Sequence, residues 1–362
     1  MYLSRLDTHH FRNLETARLE PGSGVVLVTG ANGSGKTSLL EAVWMLGTGR
    51  SFRSNRTSPV IRYGAASLTL FGELSSDSGG TTALGVRRAR SGATEIKVAG
   101  ERVRTASELA VRMPVQLIDP GSVELVTGGP AARRRFLDWG TFHVEPSFLA
   151  AWRSFRRSLD QRNALLRSGV TSEREFELWE RQLVEAAERI DAARIRYLSA
   201  LQPELSRALT ELGGHGEVAM HYVRGWDAEE DYGSVLRGNR RSDHDAGYTR
   251  AGPQRADLRL VAAGRRAADV LSRGQQKILA CGMLIAQARQ LEAATEKTGI
   301  YLVDDLPAEL DAEHRRRLGL ALAAMRGQVW ITSVQADLAE EGLGEARQLT
   351  MFHVEHGRVR LD

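Results

Sequence analysis

The chain has 362 residues, a formal net charge of +4 and a single cysteine, Cys281. That length suits one large domain with a lobe, or two domains, and a lone cysteine excludes an internal disulfide and fits a reducing cytoplasm. No run of about 18 apolar residues occurs, so no membrane span is expected, and Arg5, Asp7, His9 and His10 make the N-terminus unlike a signal peptide.

Residues 2–9 and 14–20 read as two strands around Phe11-Arg12-Asn13, followed by the buried strand Val25-Val26-Leu27-Val28. This strand runs into Gly30-Ala31-Asn32-Gly33-Ser34-Gly35-Lys36-Thr37, with Ser38 behind it, which fits the phosphate-loop pattern G-x-x-x-x-G-K-[ST]. A helix from Ser38 through Trp44 leaves the loop, completing the strand–loop–helix context that the motif requires. The glycines let backbone N–H groups close around a phosphate chain, and the helix start adds partial positive charge. Lys36 is expected to reach the β- and γ-phosphates, and the Thr37 hydroxyl to take one Mg²⁺ position.

Gly49-Arg50-Ser51-Phe52-Arg53 follows, then Ser67 to Leu74, alternating as a half-exposed strand does. Ser78-Gly79-Gly80 turns it into a hairpin with Thr82 to Arg88, and short strands are expected at 94–98 and 114–118. From Ala131 to about Leu212 the strand signal vanishes. Phe148, Trp152, Phe155, Leu159 and Leu166 keep helical spacing, and after a break at 168–172 it resumes at Phe176, Trp179, Leu183, Ala187, Ile190, Tyr197, Leu201 and Leu205, with a kink expected at Pro203. The pattern predicts an antiparallel helical hairpin whose shorter arm, of about twenty residues, extends about 30 Å; two core helices of an ordinary lobe are the plainer alternative. Residues 217–224 return to strand, and Gly238 to Gly247 reads as a mobile loop. Asp243-His244-Asp245 in that loop, and His353 and His356 in a C-terminal strand, read as solvated groups rather than metal ligands, and no His/Cys set has zinc spacing.

Two further segments bear on the nucleotide. Ile300 to Val303 is an apolar strand ending in Asp304-Asp305, the way a parallel sheet presents Mg²⁺ ligands beside a phosphate loop. Asp304 is the metal candidate, and Asp305 the group that orients or deprotonates the attacking water. Leu271-Ser272-Arg273-Gly274-Gln275-Gln276-Lys277 precedes an apolar helix, Ile278 to Leu291. Ser272 is a natural N-cap there, making a second helix start able to meet an anion.

These residues carry a resemblance. Leu271 to Gln275 resembles the signature motif of ABC-type ATPases, and Asp304-Asp305 followed by Glu309-Leu310-Asp311 resembles their Walker B and D-loop. Phe11-Arg12-Asn13, the phosphate loop, Ser51-Phe52-Arg53, His143-Val144-Glu145-Pro146, Gln161 to Leu166, Gly252-Pro253-Gln254-Arg255 and Ser272 to Lys277 stand in the same order as in the RecF family of bacterial recombination mediators. The resemblance covers nearly the whole chain. It implies an α/β fold: an ABC-type ATPase head of mixed sheets with flanking helices and an inserted α-helical lobe bearing a short antiparallel arm. The expected parts are an ATP-binding lobe at 1–120, the helical lobe at 121–250, and the rest of the ATP-binding lobe at 251–362.

The resemblance further implies ATP with Mg²⁺ as ligands and an ATP-dependent, head-to-tail homodimer in which Ser272, Gly274 and Gln275 of one copy meet the γ-phosphate held by Lys36 of the other. It implies action on double-stranded DNA at junctions with single-stranded gaps, and RecO and RecR as partners in placing recombinase there. Asp305 stands where most ABC ATPases carry the longer Glu, so weak, DNA-stimulated hydrolysis is expected. Pro307 and Ala308 differ from the usual residues before Glu-Leu-Asp, Gln254-Arg255-Ala256-Asp257 replaces the usual His-Arg-Asp-Asp, Thr332-Ser333 sits where transporters place a switch histidine, and Gln116 is a candidate for the Q-loop position.

The basic residues are nearly all arginine, the lysines being only Lys36, Lys97, Lys277 and Lys297. Arg87-Arg88-Arg90, Arg102/Arg104, Arg133-Arg134-Arg135, Arg153/Arg156/Arg157 and Arg240-Arg241 are the candidate DNA contacts. Aromatic residues are not interleaved with them, so phosphate contacts without sequence readout are expected, with affinity falling steeply as salt rises. Two other functions fit parts of the sequence: the ATPase subunit of an ABC transporter, and an ATP sensor that does not hydrolyse.

Overall fold

Apolar runs and alternating runs sort most of the strands into two six-stranded sheets of different character. The computed structural model describes residues 1–54, 56, 58–76, 79–168, 173–214, 216–305, 310–334, 343 and 348–362. They form two compact units, one comprising Met1–Ser122, Ala208–Gly214 and Cys281–Asp362, the other Val123–Arg207 and His215–Ala280. The 251–280 segment, with the signature-like residues, therefore clusters with the helical unit.

In the first unit, β1 (Tyr2–Phe11), β2 (Leu14–Leu19), β3 (Val25–Thr29), β4 (Ser67–Ser75), β5 (Thr81–Ala89), β6 (Thr94–Val98), β7 (Glu101–Val103) and β8 (Val115–Ile118) precede the helical unit in the chain. The antiparallel sheet has the order β2-β1-β4-β5-β6-β7. β4 alternates buried and half-buried residues along its whole length, as the period of two requires. The second sheet adds β12 (Ile300–Val303), β13 (Gln328–Ser333), β14 (Leu349–Glu355) and β15 (Arg358–Leu361) in the order β15-β14-β3-β13-β12-β8, parallel except for β15. All five residues of β3 are buried, the unbroken apolar pattern of a central parallel strand. Helix α1 (Lys36–Thr48) packs against strands of both sheets. Leu39, Leu40, Val43 and Leu46 share one core with Leu3, Leu6, Phe11, Leu70, Val26 and Trp330. That core fixes the start of α1 against the ends of β3, β12 and β13.

Within this unit lie also α2 (Ser107–Arg112) and α10 (Ala312–Ala323). The helical unit holds α3 (Glu124–Thr127), α4 (Pro130–Val144), α5 (Phe148–Ser168), α7 (Tyr232–Ala246), α8 (Ala267–Val270), most of α6 (Glu173–Glu211), the first turns of α9 (Arg273–Thr295), and a small sheet of β9 (Val218–Val223), β10 (Asp257–Ala262) and β11 (Arg265–Arg266). α5 and α6 are antiparallel: Arg162 meets Glu180, and Ser158 meets Gln182. α6 runs on through Pro203.

The hairpin packs against a third helix that the sequence reading misses. Residues 238–247, expected as a mobile loop, lie in α7 and its Gly247 cap. Tyr232, Val235 and Leu236 supply one turn of apolar face onto Phe155, Leu159, Leu183 and Ile190. The Asp231 carboxylate accepts the Ser234 N–H at the N-terminus, and Gly247 closes the other end in left-handed conformation. The polar run after Leu236 is mostly the exposed side of this helix. Asp243, expected to be solvated, is fully buried and accepts a hydrogen bond from Arg162 at 2.8 Å. Ser78, the break at 169–172, and Pro307, Ala308 and Glu309 lie outside the described residues.

Candidate nucleotide site

The phosphate loop lies between the end of β3 and the start of α1. Gly30 has φ +146, and a Cβ there would stand 2.3 Å from the Val354 carbonyl oxygen, so glycine is required. Asn13 donates its side-chain amide to the Ser34 carbonyl at 3.0 Å, and the Gly357 N–H donates to the same oxygen at 2.9 Å. The turn after β1 and the turn after β14 thus brace the loop from two sides. α1 begins at Gly35 with no side-chain cap, leaving the first-turn N–H groups for an anion. The Ser34 hydroxyl is buried with no hydrogen-bond partner among the described residues, as expected where a phosphate oxygen belongs.

Lys36 is buried, and its ammonium donates to the carbonyls of Gly30 at 2.7 Å and Ala31 at 3.1 Å. Burial lowers its pKa, against the opposing pull of Asp305 and Asp304. Parallel pairing of β12 with β13 and β8 sets Asp304 opposite α1. Its Oδ1 accepts from the Thr37 hydroxyl at 3.0 Å and the Thr332 hydroxyl at 2.9 Å. Burial pushes the Asp304 pKa up, and those two hydroxyls pull it back. Asp305 is exposed, in a left-handed backbone with φ 54, and its N–H donates to the Thr332 hydroxyl at 2.7 Å. A single hydroxyl therefore fixes both carboxylate residues. Thr332 had no role from spacing beyond its place at the switch-histidine position; the register of β12 on β13 reveals it.

Carboxylate and hydroxyl oxygens are the donor set that a hard divalent cation takes, so Thr37 and Asp304 fit Mg²⁺. These groups line a cavity of about 1180 Å³ together with Arg12, Asn13, Arg53 and His356. His356, which reads as a solvated group in the sequence, borders the site. Arg12 makes a bidentate pair with the fully buried Glu41, at 2.6 and 2.9 Å, and the Ser51 hydroxyl donates to the same carboxylate. The Phe11-Arg12-Asn13 and Ser51-Phe52-Arg53 segments thus converge on one side chain of α1. Gln116 is not among the cavity's lining residues; it is buried and donates to Gln287 at 2.6 Å, which removes it as a Q-loop candidate.

In the helical unit, Ser272 and Gln275 form a capping box. The Ser272 N–H donates to Gln275 Oε1 at 2.9 Å, and the Gln275 N–H donates to Ser272 Oγ at 3.3 Å. Both side chains serve as acceptors there, so the hydroxyl proton and the amide NH₂ remain as donors. Ser272, Gly274 and Gln275 are exposed, and a Cβ at Gly274 would meet nothing within 4 Å.

The RecF/RecN/SMC N-terminal domain model matches residues 2–360. The DNA replication and repair protein RecF of Pseudomonas putida KT2440 is 47% identical over 359 residues, covering 99% of this chain and 98% of the relative. The chain belongs to the RecF family. The RecF of Pseudomonas fluorescens Pf0-1 is 45% identical over the same shares of both chains. Among solved structures, the ATP complex of the recombination mediator RecF in the RecFOR pathway superposes on this RecF-family chain with TM-score 0.88, at 24% identity, covering 100% of this chain and 97% of that one. An Smc head bound to the C-winged helix domain of ScpA follows at TM-score 0.63 and 15% identity, covering 100% and 97%. At these identities the structures bear on fold, and the fold is the ABC-type ATPase head of RecF and SMC proteins. Among the described residues no helix is long and apolar enough to cross a membrane, and no His/Cys/Asp/Glu group forms a metal cluster.

Proposed function

We propose that the chain is an ATP-dependent DNA clamp of recombinational repair and replication restart, in which two copies close over two ATP molecules where duplex DNA meets a single-stranded gap. RecO- and RecR-type partners then help it place recombinase. The names of its relatives support the repair setting, and the observation that carries the ATP chemistry is the Thr37–Asp304–Thr332–Asp305 network beside Lys36. Lys36 leaves the loop carbonyls for the β- and γ-phosphate oxygens, and the first-turn N–H groups of α1 hold the phosphate chain. Thr37 and Asp304 hold Mg²⁺, which when bound neutralises charge developing on the phosphates. Asp305 aligns the attacking water and accepts its proton, giving ADP and phosphate.

Ser272 and Gln275 of the second copy donate to the γ-phosphate, and Gly274 lets the two backbones approach. Loss of that phosphate releases the contact, so hydrolysis opens the dimer. Among the described residues nothing stands within 4 Å of where a Cβ at Gly274 would lie, so the fold of one copy leaves room for a larger residue there. Light scattering with ATP and gapped DNA is expected to show a dimer, and Ser272→Arg a monomer under the same conditions. A wild-type chain that stays monomeric at saturating ATP and DNA would end the clamp reading.

Asp305→Asn tests the catalytic assignment cleanly, because asparagine tolerates the left-handed backbone as well as aspartate does. Single-turnover hydrolysis is expected to fall by about 10²–10⁴ with ATP affinity retained. A wild type that binds ATP and never cleaves it would instead be the non-hydrolysing sensor. Several arginines proposed for DNA are already engaged: Arg133 on Asp257, Arg134 on the Ala256 carbonyl, Arg102 on Glu95, Arg90 on the backbone of 61–65, and Arg240 on Glu173 and Glu180. Arg135, Arg157 and Arg241 are exposed, with no ion pair among the described residues, and are the better phosphate contacts.

A further inference from the structure

The nucleotide cavity has a wall that the phosphate chemistry does not use. Pro59, Ile61 and Tyr63 line it, together with Arg62 and Arg90. Tyr63 is 99% exposed, the most exposed of the large apolar and aromatic side chains among the described residues. An aromatic ring left wholly in water contributes nothing to the fold, since it buries no surface.

Yet the backbone that carries this ring is firmly held. The Ala65 N–H donates to the Arg62 carbonyl at 3.1 Å, closing a turn with Tyr63 and Gly64 at its centre. Gly64 has φ +82, the value that the third residue of a type II turn needs. Arg90 reaches both sides of the turn, donating to the Ala65 carbonyl at 2.7 Å, the Arg62 carbonyl at 2.9 Å, the Ile61 carbonyl at 3.4 Å and the Ser58 hydroxyl at 3.2 Å. On the cavity side Arg12 adds two bonds, from its N–H to the Val60 carbonyl at 2.9 Å and from its guanidinium to the Pro59 carbonyl at 2.8 Å. Arg62 itself donates to the His10 carbonyl through its N–H and to the Asn13 carbonyl through its side chain, both at 2.8 Å. Asn13 in turn braces the phosphate loop. The turn and the loop are therefore parts of one hydrogen-bonded scaffold.

We infer that Tyr63 is the stacking platform for the nucleobase of the triphosphate bound at this loop, and that Arg90 is the positioning residue that holds the turn. The inference rests on the nucleotide reading above and adds the part of the ligand that reading leaves unassigned. A tyrosine on a held backbone has only two side-chain torsions to lose when a flat base covers its ring, which makes it an effective contact at low entropic cost. Of the uncharged wall residues Tyr63 is the one wholly exposed ring, and Ser58 and Asn13 already have partners, so the base is held chiefly by stacking.

The test is a calorimetric titration of the full chain with Mg²⁺·ATP and, separately, Mg²⁺·tripolyphosphate. Tyr63→Ala is expected to weaken ATP about tenfold, the scale of one base–aromatic contact, and to leave tripolyphosphate unchanged. Tyr63→Phe keeps the wild-type values, and Arg90→Leu loses part of the ATP affinity with the ring still present. Unchanged ATP affinity in Tyr63→Ala overturns the inference, and so does equal weakening of both ligands, which would make the turn a support for the loop. If Tyr63→Ala instead weakens gapped-DNA binding without nucleotide while ATP is unaffected, the ring belongs to DNA and the inference is wrong. Failure of the wild type to bind either titrant removes the parent reading, a result distinct from any of these.

Discussion

Lys36→Met is expected to weaken ATP binding by about 100-fold or more, read by calorimetry with Mg²⁺ present. Two charge-assisted hydrogen bonds of about 1.5–3 kcal/mol each are lost at the phosphates, leaving the loop and the helix start to hold the ligand alone. The stability of the nucleotide-free chain should change little. The ammonium's bonds to the Gly30 and Ala31 carbonyls are lost, but so is the desolvation that lowers its pKa. Lys36→Arg should fall between the two, because a planar guanidinium keeps the charge and does not fit a loop shaped for a compact ammonium. ATP affinity near wild type in Lys36→Met would mean that the loop is not the binding site.

Arg162→Met should unfold the helical unit more readily than any single surface change, by about 3–5 kcal/mol in chemical denaturation. The Arg162 guanidinium is fully buried and donates to Glu180 at 3.0 Å, Asp243 at 2.8 Å, the Thr249 hydroxyl at 2.8 Å and the Leu236 carbonyl at 3.2 Å. Removing it strands two buried carboxylates. Arg240 still reaches Glu180, and Arg250 approaches Asp243, which keeps the loss within that range. Adding Asp243→Asn to Arg162→Met should recover part of the stability, since the stranded charge is the larger cost. A single variant as stable as wild type would show that the network is not what ties α5, α6 and α7 together.

These two residues differ in how plainly the sequence shows them. Lys36 sits in a local motif whose eight residues, with the strand before and helix after, define their own geometry. The strands, the hairpin of α5 and α6, and the acidic end of β12 are equally local, because periodicity and chain punctuation survive in a linear reading. Arg162 and Asp243 are far apart in sequence and read as a family-motif residue and a solvated charge. Within the Gln161–Leu166 motif, Arg162 binds Asp243, and Asn163 accepts both the N–H and the hydroxyl of Thr249. α7 is hard to read in the sequence for a related reason. Its buried face is one short apolar turn followed by a polar run, and only the neighbouring helices show which side is covered.

The sequence by itself determined the phosphate loop, the paired carboxylates, the serine-capped helix and the family, since each is written in neighbouring residues. Tertiary structure alone decided that Thr332 joins Asp304 to Asp305, that Glu41 gathers Arg12 and Ser51, and that Arg90 ties both sides of the Tyr63 turn. The reason is physical: a side chain's partner across a sheet or between helices is set by register and packing, and neither leaves a mark in the residues on either side of it.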